Sequence, residues 1–212
     1  MAVLDIHRQS LAASTALMEY YVPKAILPGE VIALLIGAKT NFMLVGAHGL
    51  GGWTKKPRAT QDVDIVVAQR QHKKATRLLL EAFPHLEAVD LEVVTRLRDR
   101  DTKTVLIDVI KPNQELFRVA LKHTQTVSDG KQTYKIPTLE LALTMKFASM
   151  ISLNRSDLDK RQDAVDFGRM VVANSAIDME SLAELGNCVY PEGGKELVDK
   201  VHQVRTGGVL NI

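Results

Sequence analysis

The chain has 212 residues, 46% of them hydrophobic and 25% charged, with 27 basic side chains against 25 acidic ones. That balance excludes a disordered, collagen-like or polybasic chain, and the length fits one compact domain with a helical appendage. The single cysteine, Cys188, rules out an internal disulfide, a thiolate zinc cluster and CxxC redox chemistry, and the 5% aromatic content is too low for a base-stacking platform.

The first stretch reads as a helix, with Leu4, Leu11, Thr15, Leu17, Met18 and Tyr21 recurring among polar or small residues. Pro23 and Pro28 separate it from a second, strongly apolar helix around residues 31–36. That apolar run is far below the roughly 18 residues of a membrane span. The opening MAVLDIHRQS lacks a basic segment followed by a long apolar one, so a cytoplasmic chain without a membrane partner is expected.

From Phe42 the texture changes to short β-like runs: 42–46, 63–68, a band at 86–96, and 104–110, with a helix expected at 71–83. After Pro112 come a helix at 115–123, a short strand at 134–136 and, beyond Pro137, a helix from 138 to about 153. The remainder is helical in pattern, broken at 154–156, 174–175, 191–194 and 207–208. The expected class is α/β (α+β), a mixed sheet flanked by helices, with residues 1–136 forming the sheet-containing half and 137–212 a helical part.

The informative stretch is FMLVGAHGLGGWTKKPRATQDVDIVV. Asp62 and Asp64 lie two apart in a strand, so both carboxylates share one face while Val63, Ile65 and Val67 take the other. Paired negative charge near a core needs a cation or a solvated face. A third acid, Asp108, interrupts the apolar TVLIDVI, where an unpaired carboxylate is expensive. If the two strands are neighbours, three carboxylates converge, and such oxygen ligands suit Mg²⁺ or Mn²⁺. Taken alone, the acids fit better as structural residues, with Asp62 capping the strand, Asp64 on a solvated edge and Asp108 paired to a nearby Arg or Lys; the surrounding residues reverse that preference.

Gly46 ends the apolar strand and opens a glycine-rich turn, GAHGLGG, followed by Arg58, Thr60, Asp62 and Asp64 in the order R-x-T-x-D-x-D. Over residues 42–110 this resembles the minimal nucleotidyltransferases of the DNA-polymerase-β-like fold, and among them the AbiEii-type abortive-infection toxins. The resemblance implies transfer of a nucleoside monophosphate from a nucleoside triphosphate (NTP) to an RNA, protein or small-molecule hydroxyl. It also implies a toxin role with an antitoxin protein as partner. Asp62, Asp64 and Asp108 would then be the catalytic metal ligands. Gly46, Ala47, His48, Arg58 and Thr60 would line the nucleotide, with backbone N–H groups of the turn near its phosphates.

The resemblance extends to the helical half, where Lys146, followed by Arg155, Lys160, Asp163 and Asp166, matches a lysine-led cluster; Lys146 and Lys160 would face the triphosphate across a cleft. Read from its own helix, Lys146 emerges on an apolar face and equally fits a lysine reaching out to solvent. Ala47 stands where family members carry a second Gly or Ser, which favours the alternative of a catalytically inactive nucleotide- or protein-binding module. Gly51, Gly52 and Trp53 are expected to form a loop with Lys55 and Lys56. Read from its own place in the turn, His48 equally fits a packing or turn role. The other histidines, His7, His72, His85, His123 and His202, lack metal-binding spacing and read as structural or surface residues, and Cys188 as a small packed hydrophobe.

Overall fold

The computed structural model describes residues 3–22, 24–128, 132–208 and 210, with side chains from Asp5 onward. Leu4 in the expected N-terminal stripe and Pro23 as a separator lie outside the described side chains and residues. The chain divides into two compact units, residues 1–52 with 56–137, and 53–55 with 138–212. No helix among the described residues is long and apolar enough to cross a membrane.

The first unit holds helices α1 (Val3–Tyr21) and α2 (Pro28–Gly37), strand β1 (Phe42–Leu44), and most of helix α3 (Gly46–Thr54). Strand β2 (Val63–Val67), a 3-10 turn (Gln69–Gln71), helix α4 (His72–Ala82) and strands β3 (Leu86–Asp90), β4 (Val94–Asp99) and β5 (Val105–Ile110) follow. Helix α5 (Glu115–Ala120) then leads into the hairpin β6 (Thr124–Ser128) and β7 (Thr133–Pro137). The main sheet is mixed, in the order β1-β2-β5-β4-β3, and only β2 and β5 run parallel.

Alternation explains the sheet. Val63, Ile65, Val67, Leu97, Ile107 and Val109 are fully buried on one face, in a core shared with Ile32, Leu35, Ala75 and Leu79 of α2 and α4. The other face carries the polar members of the same strands. The band expected at 86–96 is a hairpin of two strands, turned at residues 91–93. Pro28 does not merely separate helices. It opens α2, where a missing N–H costs nothing.

Two expectations need correction. The glycine-rich turn and the loop expected at Gly51, Gly52 and Trp53 are a nine-residue helix, α3. Glycine disfavours helix, so tertiary packing must supply what propensity does not. A Cβ on Gly51 would stand 2.2 Å from Ser10 Oγ, one on Gly52 2.1 Å from His7 Nδ1, and one on Gly49 2.3 Å from the Leu44 carbonyl oxygen. The glycines therefore let α3 lie directly on α1 and β1. Correspondingly, the buried stripe of α1 is His7, Ser10, Leu11, Ser14 and Met18, whereas Tyr21 is 64% exposed. Small and polar residues fill positions that a purely apolar stripe would assign elsewhere.

The second unit is helical: α6 (Leu139–Met150), α7 (Asp157–Ala173), α8 (Met179–Asn187) and α9 (Gly193–Arg205). Helix α6 packs on α7 and α8, and α9 on α7 and α8. Phe147, Phe167, Met170, Leu182, Leu197 and Val201 form its buried centre. Thr138, Ser156 and Asp178 cap α6, α7 and α8 through side-chain oxygens that accept backbone N–H bonds.

Candidate active site

The parallel pairing of β2 and β5 sets Asp64 directly opposite Asp108. Asp62, just before β2, projects on the same side. One carboxylate oxygen from each of Asp62, Asp64 and Asp108 lies within 4.8 Å of the other two, and all three residues are half-buried. The Thr60 hydroxyl donates to Asp62 Oδ1 at 2.6 Å, which orients that carboxylate. Three anions so close repel one another unless cations meet them, and an all-oxygen donor set fits Mg²⁺ or Mn²⁺.

Gly46 shapes the approach to this cluster. It takes φ +58°, and a Cβ built there would stand 1.8 Å from Asp64 Oδ2. Only glycine leaves room for the Asp64 carboxylate at this place and adopts this backbone without strain. The Val45 N–H donates to the Asp64 carbonyl at 2.9 Å, tying the start of α3 to β2. The first N–H groups of α3 have no intrahelical acceptor, and the helix N-terminus adds partial positive charge beside Asp64.

A residue the sequence reading passed over completes the face. Arg96 on β4 is the register partner of Asp108, so Arg96, Asp108 and Asp64 form one row across three adjacent strands. Arg96 Nε lies 3.7 Å from Asp108 Oδ1, with the two side chains 48% and 16% exposed. The signal was present in VTRLRD, whose alternation sends Arg96 and Arg98 away from buried Thr95 and Leu97.

The His48 side chain is buried: its Nδ1 lies 2.8 Å from Ser14 Oγ, which itself donates to the Leu11 carbonyl. With the serine proton so engaged, Nδ1–H is the donor to Ser14, and Nε2 meets no hydrogen-bond partner among the described residues. Burial, reinforced by the nearby Arg58 guanidinium, lowers the His48 pKa to about 4. Ala47 is buried beside it. Arg58 donates to the Ala59 carbonyl.

In the second unit, Lys146 does not reach out to solvent. It is 7% exposed, and its ammonium donates to Asp163 Oδ1 at 2.7 Å and Asp166 Oδ2 at 2.9 Å. Arg155, just before α7 and 42% exposed, places its Nε 2.9 Å from Asp163 Oδ2, so two cations face two anions in a cluster buried at Lys146, Asp163 and Asp166. Lys160 lies half-buried in the first turns of α7, and Lys55 donates to the Ala173 carbonyl at 2.6 Å.

A crystal structure of an antigenic nucleotidyltransferase-like protein from Paracoccidioides brasiliensis superposes over 95% of this chain and 94% of its own, at 19% identity and a TM-score of 0.52. The chain has a nucleotidyltransferase-like fold. Looser likenesses link it to the lincomycin-bound lincosamide antibiotic adenylyltransferase LnuA, with 16% identity over 68% of this chain and 94% of that one, TM-score 0.46. A third is terminal uridylyl transferase 4 from Trypanosoma brucei with bound GTP, 12% identical over 82% of this chain and 56% of that one, TM-score 0.31. These two are too distant to add to the fold assignment. No family model and no curated protein matches the sequence. Within the nucleotidyltransferase-like fold, the β2–β5 register sets Asp64 against Asp108, with Asp62 just ahead of β2 beside them.

Proposed function

We propose that this chain is a metal-dependent nucleotidyltransferase that passes a nucleoside monophosphate from an NTP to a hydroxyl of an RNA, a protein or a small molecule. The observation that carries this reading is the convergence of Asp62, Asp64 and Asp108 within 4.8 Å, beside a Gly46 whose missing Cβ leaves the Asp64 carboxylate unobstructed. The donor set is all oxygen, which suits Mg²⁺ or Mn²⁺.

A divalent ion bound there supplies charge neutralisation for the triphosphate and the leaving pyrophosphate. The chain's own residues do the rest. Thr60 holds Asp62 in one orientation, and the strand register holds Asp64 against Asp108. The first N–H groups of α3 offer donors to a phosphate oxygen next to the carboxylates. In the transfer, the acceptor oxygen forms a bond to the α-phosphorus as the bond to pyrophosphate breaks, and Asp108 takes the hydroxyl proton. A toxin role with an antitoxin partner belongs to the same reading as one choice of acceptor.

A second reading is an inactive nucleotide- or protein-binding module. Ala47, which offers no hydroxyl to a phosphate, favours it. Incubation with each labelled NTP, Mg²⁺ or Mn²⁺ and a mixed pool of RNA, protein and small acceptors separates the two. The enzyme reading expects label transfer that Asp62→Asn and Asp64→Asn each abolish. Transfer surviving both substitutions overturns the metal-site assignment, and metal-dependent nucleotide binding without transfer selects the module.

A further inference from the structure

Fully ionised, the three carboxylates would place three negative charges in one half-buried cluster. Arg96 offsets part of that charge at Asp108. It sits in register with Asp108 on the neighbouring antiparallel strand, its Nε 3.7 Å from Asp108 Oδ1. The main-chain pairing fixes where the residue starts, whereas its guanidinium, on a side chain 48% exposed, has room to move. The contact at 3.7 Å is looser than a direct bidentate pair, as expected of a counter-ion that can be displaced.

We propose that Arg96 is an exchangeable counter-ion of Asp108: it competes with a divalent cation for that carboxylate and, once displaced, binds the phosphates of the incoming nucleotide. The inference rests on the metal-site reading above. Its logic is electrostatic. An arginine is charged at every working pH, so it opposes a second cation at Asp108 whenever it stays in place. When the ion takes Asp108, Arg96 is left on the same face of the sheet, next to the cluster, as a planar donor suited to phosphate oxygens. One residue therefore weakens binding of the bare ion and strengthens binding of the ion together with a nucleotide.

The test reads binding, not turnover. Mn²⁺ affinity is measured by electron paramagnetic resonance for the full chain and for Arg96→Gln and Arg96→Lys, and then the affinity of the Mn²⁺-loaded proteins for a non-hydrolysable ATP analogue. Arg96→Gln is expected to tighten bare Mn²⁺ binding about ten-fold, the effect of removing one nearby unit charge in a half-exposed site, and to weaken analogue binding about ten-fold. Arg96→Lys, which keeps the charge, should leave Mn²⁺ affinity within about two-fold of the parent and lose part of the analogue affinity. A purely structural role predicts the same direction for both ligands, so parallel losses, or unchanged Mn²⁺ affinity in Arg96→Gln, overturn the proposal. Mn²⁺ binding that Asp64→Asn leaves intact overturns the metal site itself and this inference with it. Melting curves of each variant show whether the fold is retained.

Discussion

Two buried histidines make this protein sensitive to mild acid. His7 on α1 and His48 on α3 are each only 4% exposed, and burial lowers both pKa values from the ordinary 6.5 to about 4. Around His48 the charged neighbour is the Arg58 guanidinium, which opposes protonation further, and its polar contact is the Ser14 hydroxyl. Between pH 4 and 6.5 the unfolded chain binds protons that the folded one refuses, so stability falls as pH falls through that window. Above about pH 6.5 the contribution is complete, and below about pH 4 it is gone.

The size follows from the shift. Each histidine contributes about 3 kcal/mol at neutral pH relative to pH 4, a substantial share of the roughly 5–15 kcal/mol by which domains are stable. Near pH 5.5 the pair gives a slope of about 2.4 kcal/mol per pH unit, and a single histidine about half that. Urea unfolding at half-unit steps from pH 7.5 to 4.5 measures the slope directly. His48→Gln and His7→Gln should each halve it, whatever they do to stability at pH 7.5. The acids Glu87, Asp90 and Asp99, whose pKa values are lowered chiefly by hydrogen bonds from Lys103, Lys111 and Thr102 respectively, lose their contribution below the ordinary carboxylate range and so act in a different window. An unchanged slope in both variants, or ring protons of either histidine titrating near pH 6.5 in the folded protein, refutes the reasoning.

Other substitutions have equally specific outcomes. Gly46→Ala adds a Cβ 1.8 Å from Asp64 Oδ2 at a backbone φ of +58°, so it should destabilise by about 2–3 kcal/mol in urea unfolding and abolish metal binding with it. Gly168→Ala, inside α7 with open space around its Cβ, should stabilise by about 0.5–1 kcal/mol, and a loss would show that the helix face is covered. Lys146→Ala leaves Asp163 and Asp166 buried without their shared ammonium, for an expected loss of about 3–5 kcal/mol. Lys146→Ala with Asp163→Asn and Asp166→Asn should recover much of that loss, a result checked by thermal melting.

The strand containing Asp64 and the apolar run around Asp108 were legible in the sequence, because period-two alternation is a local property that the next few residues display. So were α4, α6 and the breaks on either side of α7, since caps and periodicity are likewise local, whereas the break expected at 191–194 runs into α9, which opens at Gly193. The helix from Gly46 to Thr54 was not, because four of its nine residues are Gly and it packs against Ser10 and His7, far away along the chain, as well as against the nearby Leu44. The same limit hid the roles of His48 and Lys146. Whether a histidine in a glycine-rich stretch faces a ligand or a serine on another helix, and whether a lysine reaches solvent or two aspartates, depends on which elements pack together.

The sequence by itself determined three acids of suitable type, each on or beside a strand. Only the tertiary structure decided that β2 and β5 pair in parallel with Asp64 against Asp108, and that β4 brings Arg96 alongside. Strand pairing is a long-range choice made by the shared burial of Val63, Ile65, Ile107 and Val109 on the opposite face, and it carries the carboxylates together as a consequence.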